Sequence, residues 1–273
     1  MDRFDELANA ILGRFEVYEG WGFSQRKENA SVRALLSGPS GCGKTLFATA
    51  IGERTGLDVY RVDLASLVSK YIGETEKNMD RVFKSAENAN VVLFLDECEA
   101  LLGKRSEQKD AHDRYANIET AYLLQRMEEF DGVLILATNI RRNIDAAFSR
   151  RIHFEIDFPM PDEVSRERLW RQAVPTAAPT EDIDYEFLAR QFKNTGGEIA
   201  NLTLCAAFMA RQAGRPIGME HIVKCLARHG MRQGKIPSPG EYRQYFDLIG
   251  DPKDAAVPDT IGQPAEVSRS ASA

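Results

Sequence analysis

The chain has 273 residues, enough for one large domain or two smaller ones, and its hydrophobic content of 43% allows a folded core. The formal net charge of −6 argues against a protein that coats nucleic acid, although a local basic patch is left open. No apolar run reaches the length of about 18 residues that spans a membrane, and the acidic first residues differ from a secretory signal, so we expect a cytoplasmic protein.

Helical and extended patterns alternate along the first half of the chain. Apolar residues at helical spacing from Phe4 to Phe15 predict an amphipathic helix, which the segment Gly20-Trp21-Gly22-Phe23 ends. This alternation predicts the α/β class, with a mostly parallel five-stranded sheet covered by helices. Further helices are predicted at 46–51, 75–88 and 114–129, and strands at 34–36, 58–62, 91–95, 133–137 and, as an edge strand, 152–158.

The composition changes at Pro159-Met160-Pro161, and no strand is predicted beyond that point. Apolar stripes at helical spacing predict a small all-helical domain at 161–232 and a helical extension at 233–249. From residue 250 the chain is rich in Pro, Ala, Ser and Asp and lacks periodicity, which predicts a disordered tail at 250–273. The stripes consist of Ile199, Leu202, Ala206, Met209 and Ala213; of Met219, Ile222, Val223 and Leu226; and of Tyr242, Tyr245, Phe246 and Ile249.

A glycine-rich segment between the first predicted strand and the following helix fits G-x-x-x-x-G-K-[ST], the phosphate-binding P-loop. Glycines let several backbone N–H groups point at one anion, and the helix N-terminus adds partial positive charge. Lys44 is predicted to reach the β- and γ-phosphates, and Thr45 is predicted to ligate Mg²⁺. The predicted nucleotide-binding residues are Gly38, Pro39, Ser40, Gly41, Cys42, Gly43, Lys44, Thr45 and Leu46.

Two carboxylates, Asp96 and Glu97, follow the predicted buried strand at 91–95. Ligands of open parallel sheets bind at the carboxyl ends of the strands, where these two side chains are expected to lie. We predict that Asp96 holds Mg²⁺ and that Glu97 polarises the attacking water as general base. The alternative is that both acids only cap the next helix.

Three further polar residues follow the next strand and a short helix. Asn139 comes at the end of the strand at 133–137, where a neutral amide can orient the water without competing for the metal. Arg150 and Arg151 follow a short helix, and a guanidinium there can stabilise charge on the transferring phosphoryl group. Two such arginines are also common on a solvated surface, so both interpretations stay open.

These elements, in this order and spacing, resemble the AAA family of ATPases over roughly residues 17–229. The resemblance implies a P-loop NTPase that hydrolyses ATP with Mg²⁺, with Walker A at 38–45 and Asp96 and Glu97 closing Walker B. It implies that Asn139 is the sensor-1 asparagine. It also implies that Arg150 and Arg151 are arginine fingers that act on ATP bound to a neighbouring subunit.

The same resemblance implies a domain layout and an assembly. It gives an N-terminal helix and linker at 1–22, a nucleotide-binding domain at 23–160 and a helical lid at 161–232. Gly22 and Phe23 fall in a short segment that packs on adenine in the family, and Gly197 falls where the lid closes over the nucleotide. The implied assembly is a homo-oligomeric ring, usually a hexamer, with ATP between subunits.

The segment at 69–74 resembles the pore loop of the family, which implies that the ring grips an extended polypeptide. In this interpretation Lys70, Tyr71, Ile72 and Gly73 face the central channel. The alternative is a turn with Tyr71 packed inward. A charged loop at 104–113 either lines the same channel or is a solvated surface.

Three departures from the family pattern qualify these assignments. The two finger arginines are adjacent, whereas the family often separates them by Pro-Gly, and we favour Arg150 as the finger. Ala200 stands inside the lid helix, so no sensor-2 arginine is assigned. Cys42 stands where Thr or Ala is common, which suggests that its oxidation or alkylation blocks nucleotide binding. The alternative is a small filler thiol.

The implied function is ATP-driven remodelling, unfolding or disassembly of a protein substrate. Residues 109–117 look similar to bacterial AAA ATPases associated with contractile injection systems, which would make the substrate part of a phage-tail-like assembly. The alternatives are a nucleotide-gated scaffold or a nucleic-acid motor.

The four cysteines predict no metal or disulfide site. Cys42, Cys98, Cys205 and Cys225 lack C-x-x-C spacing, so we expect reduced thiols rather than a zinc site or disulfide framework.

Overall fold

The structure is a computed structural model that describes residues 3–23, 30–67, 74–99, 111–139 and 146–250. It divides into two compact units, which we describe separately. The first unit contains the described residues up to Asp162 together with Asn194–Gly197. The second unit contains Glu163–Lys193 and the described residues from Glu198 onward.

A five-stranded sheet forms the centre of the first unit, and all of its strand pairs are parallel. The strand order is β2-β3-β4-β1-β5, so the fifth strand lies at an edge, as the sequence predicts. All five predicted strands are present, with bounds shifted by one or two residues, and the predicted α/β class is confirmed. The strands are β1 (Val32–Ser37), β2 (Val59–Asp63), β3 (Val92–Asp96), β4 (Val133–Thr138) and β5 (Phe154–Asp157).

Helices cover both faces of this sheet. One face packs Ala34, Phe94 and Ile135 against the first two helices, and the other packs Leu93, Leu95 and Leu134 against the third and fourth. Strands β3 and β4 are buried on both faces, which explains why their sequences are continuously apolar rather than alternating. The helices are α1 (Arg3–Phe15), α2 (Lys44–Thr55), α3 (Glu74–Ala89), α4 (Ala111–Glu129) and α5 (Ala146–Ser149).

The first helix buries a narrower face than its sequence predicts. Leu7, Ala8 and Ile11 are fully buried, but Leu12 and Phe15 at the ends of the predicted stripe are 52% and 50% exposed. A π-helical turn at Glu16–Gly20 follows this helix, and Trp21 closes it by donating its backbone N–H to the Glu16 carbonyl oxygen.

The second unit is helical, with an isolated bridge between Thr180 and Ile217 as its only β pairing in the described residues. Its core is built around Trp170, Leu188 and Ile222. The predicted stripe on the long helix is shifted at its end, because Ala210 is buried whereas Ala213 is exposed. The helices are α6 (Glu163–Ala173), α7 (Tyr185–Gln191), α8 (Gly196–Ala213, whose first two residues belong to the first unit), α9 (Met219–Arg232) and α10 (Pro239–Tyr242).

The predicted C-terminal extension packs onto the core of the second unit. It consists of α10 and a 3₁₀ helix at Arg243–Ile249 rather than one α-helix. Tyr242 and Ile249 are buried, and the ring of Tyr245 lies 4.8 Å from that of Phe187. The predicted tail lies outside the described residues from position 251 on. Every helix in the described ranges is too short or too polar to cross a lipid bilayer.

Candidate functional site

The P-loop connects β1 to α2, and its glycines adopt backbone angles that other residues rarely adopt. Gly38, Gly41 and Gly43 have φ values of +146°, +76° and +100°. A Cβ atom at Gly38 would collide with the carbonyl oxygen of Phe158, and one at Gly41 would lie 2.6 Å from Oγ1 of Thr195. Glycine is therefore required at the first two positions by close approach as well as by backbone conformation.

The ammonium group of Lys44 is held inside the loop by three oxygen acceptors. Its Nζ donates to the carbonyl oxygens of Gly38 at 2.6 Å and Pro39 at 3.0 Å, and to Oδ1 of Asn139 at 2.8 Å. Lys44 is only 7% exposed. Burial lowers its pKa, and the nearby negative charge of Asp96 partly opposes that shift. Lys44 thus sits in an oxygen-lined site suited to a cation.

The carboxyl end of β3 brings the two predicted acids next to the P-loop. Oδ2 of Asp96 lies 3.5 Å from Oγ1 of Thr45, and Oδ1 of Asp96 accepts the backbone N–H of Glu97 at 3.0 Å. Glu97 is exposed and has a φ of +55°. This left-handed conformation is uncommon for a residue other than glycine, and such backbone strain often occurs at functional sites.

Asp96 also has a partner that the sequence analysis did not predict. Nη2 of Arg61, on β2, forms an ion pair with Oδ2 of Asp96 at 2.8 Å. The parallel register pairs Arg61 with Phe94 and Asp63 with Asp96, so Arg61 and Asp96 point to the same face of the sheet. The sequence could have indicated Arg61 as a partner of Asp96 only if the pairing of β2 with β3 had been known. An arginine in an exposed edge strand does not by itself indicate a functional site.

Asn139 is fixed from two sides. Its Nδ2 donates to Oε1 of Glu99 at 2.8 Å while its Oδ1 accepts from Lys44. Glu99 was not predicted, although it stands two residues after Glu97 in the same acidic run. The contacts form a chain from Glu99 through Asn139 to Lys44, which links the ends of β3 and β4 to the P-loop.

A cavity of about 160 Å³ lies where these groups meet. Of the other predicted residues, Leu46 is 73% exposed on α2, and Pro39, Cys42, Gly22 and Phe23 are not among the described residues that line the cavity. The lining residues are Ser40, Gly41, Gly43, Lys44, Thr45, Arg61, Asp96, Glu97 and Asn139.

The backbone of Gly197 also reaches the P-loop. Its N–H donates to the carbonyl oxygen of Gly41 at 2.9 Å, and a Cβ atom at Gly197 would lie 3.0 Å from Cα of Gly41. The close approach of these two backbones therefore favours glycine at position 197.

The two predicted finger residues lie outside this cavity and differ in their contacts. Arg151 forms an ion pair with Glu128 and donates to the carbonyl oxygen of Ala147 at 2.7 Å. Arg150 is exposed, and no ion pair to it is found within the described residues. Arg150 is thus the more available guanidinium of the two. The predicted pore residues Lys70, Tyr71, Ile72 and Gly73 lie outside the described residues.

Comparison with known proteins gives one family. The model of the ATPase family associated with various cellular activities (AAA) matches residues 34–160. A probable 26S proteasome regulatory subunit 6B of Caenorhabditis elegans is 32% identical over 189 residues, which is 66% of this chain and 46% of that protein. The katanin p60 ATPase-containing subunit A1 of Strongylocentrotus purpuratus is 31% identical over 207 residues, 70% of this chain and 40% of that protein.

A third relative covers slightly more of the chain. The 26S proteasome regulatory subunit 10B homolog A of Arabidopsis thaliana is 29% identical over 220 residues, 78% of this chain and 55% of that protein. The chain therefore spans about half of the length of the curated relatives that it matches.

Proposed function

The chain belongs to the AAA family of ATPases, and we propose that it binds ATP with Mg²⁺ at the P-loop cavity and hydrolyses it to ADP and phosphate. The observation that carries this proposal is the meeting of Lys44, Asp96, Glu97 and Asn139, from three separate chain segments, around one cavity. A cation, two carboxylates and an amide at the carboxyl ends of neighbouring parallel strands form a set suited to phosphoryl transfer.

The groups present fit a magnesium triphosphate. Lys44 already donates to three oxygens, and phosphate oxygens are acceptors for the same N–H groups. Thr45 and Asp96 offer two oxygens 3.5 Å apart, the kind of hard ligand that Mg²⁺ prefers. A Cβ atom at Gly43 would meet nothing within 4 Å, so space is open beside this part of the loop.

Each residue then has one role in the reaction. Lys44 would bind the β- and γ-phosphates, and Thr45 and Asp96 would hold Mg²⁺, which would supply positive charge to the phosphate oxygens. Glu97 accepts the proton of the attacking water, and Asn139 orients that water through its amide. Catalysis comes from positioning and charge stabilisation, without a covalent intermediate on the protein.

A neighbouring copy of the chain completes the site in this proposal. Arg150 lies outside the cavity of its own chain, is exposed and is the better placed of the two arginines to reach a phosphate bound to another copy. Such a guanidinium is worth about 10³- to 10⁵-fold in rate. We therefore propose a homo-oligomeric ring, with a hexamer as the expected size.

The work of the ring is proposed to be remodelling of a protein substrate. Support comes from the relatives, two of which are named as regulatory subunits of the 26S proteasome. The residues proposed to grip the substrate polypeptide are Lys70, Tyr71, Ile72 and Gly73. The proposed source of that substrate is a phage-tail-like assembly.

The variant Tyr71→Ala tests the gripping role. It should spare basal ATP hydrolysis and abolish the stimulation of hydrolysis by an unfolded protein. Loss of nucleotide binding in this variant would instead make Tyr71 structural.

The second candidate function, a nucleotide-gated scaffold or nucleic-acid motor, predicts different stimulation. A protein remodeller should hydrolyse ATP faster with an unfolded protein and not with DNA or RNA, whereas a motor should show the reverse. A scaffold should respond to neither. The net charge of −6 favours the protein substrate over the nucleic acid.

Phosphate release measured with Mg-ATP tests the hydrolysis proposal. Glu97→Gln should retain nucleotide binding and lose turnover by at least about a hundredfold, because a general base contributes about 10²- to 10⁴-fold. Glu186→Gln, at an exposed position on α7, is the matched control and should keep full turnover. Equal turnover of Glu97→Gln and Glu186→Gln would contradict the assignment of Glu97 as the base.

A further inference from the structure

The second unit contains two thiols that the proposed ATPase reaction does not use. Cys205 lies on α8 and is exposed, whereas Cys225 lies on α9 and is 3% exposed. Both line the same cavity of about 230 Å³. Two cysteines from different helices thus share one cavity, and one of them is open to solvent.

The cavity around the two thiols is positively charged. Arg228 and Arg232 line it and follow Cys225 by about one and two turns of α9, so all three share a helix face. No ion pair to either arginine is found within the described residues. His229 of the same cavity is engaged with Glu198, whose Oε1 lies 3.4 Å from its Nε2. Nη1 of Arg228 lies 3.9 Å from Sδ of Met209, whereas Arg232 is exposed. A neutral sulfur does not cancel the charge of Arg228, so both guanidinium groups can attract an anionic reagent.

The arrangement favours redox chemistry over metal binding. The described residues contain no group of three or more histidine, cysteine or acidic side chains able to hold a metal ion. The buried thiol contacts one further sulfur, because Sγ of Cys225 lies 3.4 Å from Sδ of Met209. A dithiol with one exposed member is the arrangement in which thiol–disulfide exchange can start at one sulfur and finish at the other.

We propose that Cys205 and Cys225 are a reversible redox pair, which a low-molecular-weight disulfide bearing carboxylates converts to an intramolecular disulfide between α8 and α9. Arg228 and Arg232 attract the carboxylates of the reagent to the cavity. The inference is independent of the proposed hydrolysis, because none of these residues lines the P-loop cavity.

The exchange takes two balanced steps. Cys205 loses its proton and attacks one sulfur of the reagent, which forms a mixed disulfide and releases one reagent thiol after it takes up a proton. Cys225 then attacks the Cys205 sulfur, which forms the protein disulfide and releases the second reagent thiol with the Cys225 proton. In total the two protein thiols are oxidised and the reagent disulfide is reduced to two thiols.

The order of attack follows from the surroundings of each sulfur. Burial raises the pKa of the Cys225 thiol to about 12, even though Arg228 and Arg232 oppose this shift. The thiolate is the attacking species, so the exposed Cys205 reacts first. Cys225 then reacts because the mixed disulfide is held beside it, which compensates for its weak acidity.

To test the proposal, the 273-residue chain is treated with glutathione disulfide and digested with trypsin without prior reduction. The masses of the peptides then show which cysteines have formed a disulfide. Trypsin cuts after Arg211 and Lys224, which separates the two cysteines, so a disulfide appears as peptide 194–211 joined to peptide 225–228. The expected result is this joined pair, lighter by two hydrogens than the separate peptides and lost on treatment with dithiothreitol.

Two variants make the outcome decisive. Cys225→Ala should accumulate glutathione on Cys205, because the second step is blocked, and Cys205→Ser should give neither the adduct nor the cross-link. A wild-type chain that keeps a stable adduct on Cys205, or that is oxidised only at Cys42 or Cys98, or that does not react, overturns the proposal.

A reagent of opposite charge tests the role of the arginines. The chain carries a net charge of −6, so a cationic disulfide such as cystamine should react faster with the protein surface as a whole. Faster cross-linking by glutathione disulfide than by cystamine is expected if Arg228 and Arg232 attract the carboxylates. Faster cross-linking by cystamine overturns this part of the assignment.

Discussion

Nη2 of Arg61 lies 2.8 Å from Oδ2 of Asp96, the same carboxylate oxygen that approaches Oγ1 of Thr45 at 3.5 Å. Asp96 is buried at the end of β3, whereas the Arg61 side chain is 60% exposed on the edge strand β2. The guanidinium therefore neutralises the carboxylate that is proposed to hold Mg²⁺. Mg²⁺ held by Asp96 would compete with Arg61 for the charge of this carboxylate.

The first prediction concerns this competition. Arg61→Gln should lower the Mg²⁺ concentration needed for half-maximal nucleotide binding by about two- to fivefold, the range expected when a largely exposed ion pair of up to about 1 kcal/mol is removed. Titration of Mg²⁺ with a fluorescent nucleotide measures this effect. Arg54→Gln, at the end of α2, is the control, and an identical midpoint for both variants would contradict competition by Arg61.

The second prediction concerns Glu99, which we expect to position Asn139. Glu99→Ala should lower kcat about tenfold with little change in KM for ATP, because an amide that has lost a hydrogen bond to a charged group no longer orients the water. Glu99→Gln keeps an acceptor oxygen and should recover much of the lost kcat. A change confined to KM would instead indicate a role in nucleotide binding.

The third prediction separates the two arginines by mixing subunits. Arg150→Ala and Lys44→Ala should each be nearly inactive alone, but a mixture should recover turnover, because Lys44→Ala subunits supply Arg150 to intact sites of their neighbours. Arg151→Ala should mainly lower stability, since Arg151 contacts Glu128 and Ala147 within its own chain. A mixture that stays inactive would count against a finger supplied by a neighbouring copy.

The fourth prediction concerns the pH dependence of stability in the first unit. Oη of Tyr122 on α4 donates to Oδ1 of Asp80 on α3 at 2.6 Å, and this hydrogen bond lowers the pKa of Asp80. A lowered carboxylate pKa stabilises the fold above the unfolded value of about 3.9, and that contribution disappears as pH falls through the folded pKa.

Tyr122→Phe should therefore cost about 1 kcal/mol in free energy of unfolding at pH 7, a modest value because Asp80 is 36% exposed. The cost should shrink as the pH is lowered through the acid range. Chemical denaturation at both ends of that range measures it, with Tyr60→Phe on the exposed strand β2 as control. A cost that is the same at acid and neutral pH would rule out the charged hydrogen bond as its source.

The sequence predicted the sheet because its central strands carry their own signal. Strands β3 and β4 are continuously apolar, and turn or polar residues mark where each one ends, so Asp96, Glu97 and Asn139 could be expected at one edge of the sheet. The sequence did not predict the side-chain contacts that depend on which strands lie side by side. Arg61 meets Asp96 only because β2 lies beside β3, and Glu99 meets Asn139 only because β3 lies beside β4.

Helical periodicity in the sequence predicted less reliably which residues are buried and which type of helix forms, because both depend on tertiary packing. Leu12 and Phe15 continue an apolar stripe in the sequence but are half exposed on α1. Tyr242, Tyr245, Phe246 and Ile249 have helical spacing, yet Arg243 with a φ of +48° separates a short α-helix from a 3₁₀ helix. Apolar spacing alone does not distinguish a 3₁₀ segment from an α-helix.

Isothermal titration calorimetry of the folded 273-residue chain with Mg-ATP tests most directly the central claim, that the chain binds magnesium nucleotide at the P-loop cavity. The account predicts a saturable heat of binding that is lost in Lys44→Ala, whose fold is checked by circular dichroism, and retained in Glu97→Gln. A folded wild-type chain that takes up no magnesium nucleotide, or a Lys44→Ala chain that binds it equally well, would contradict the account.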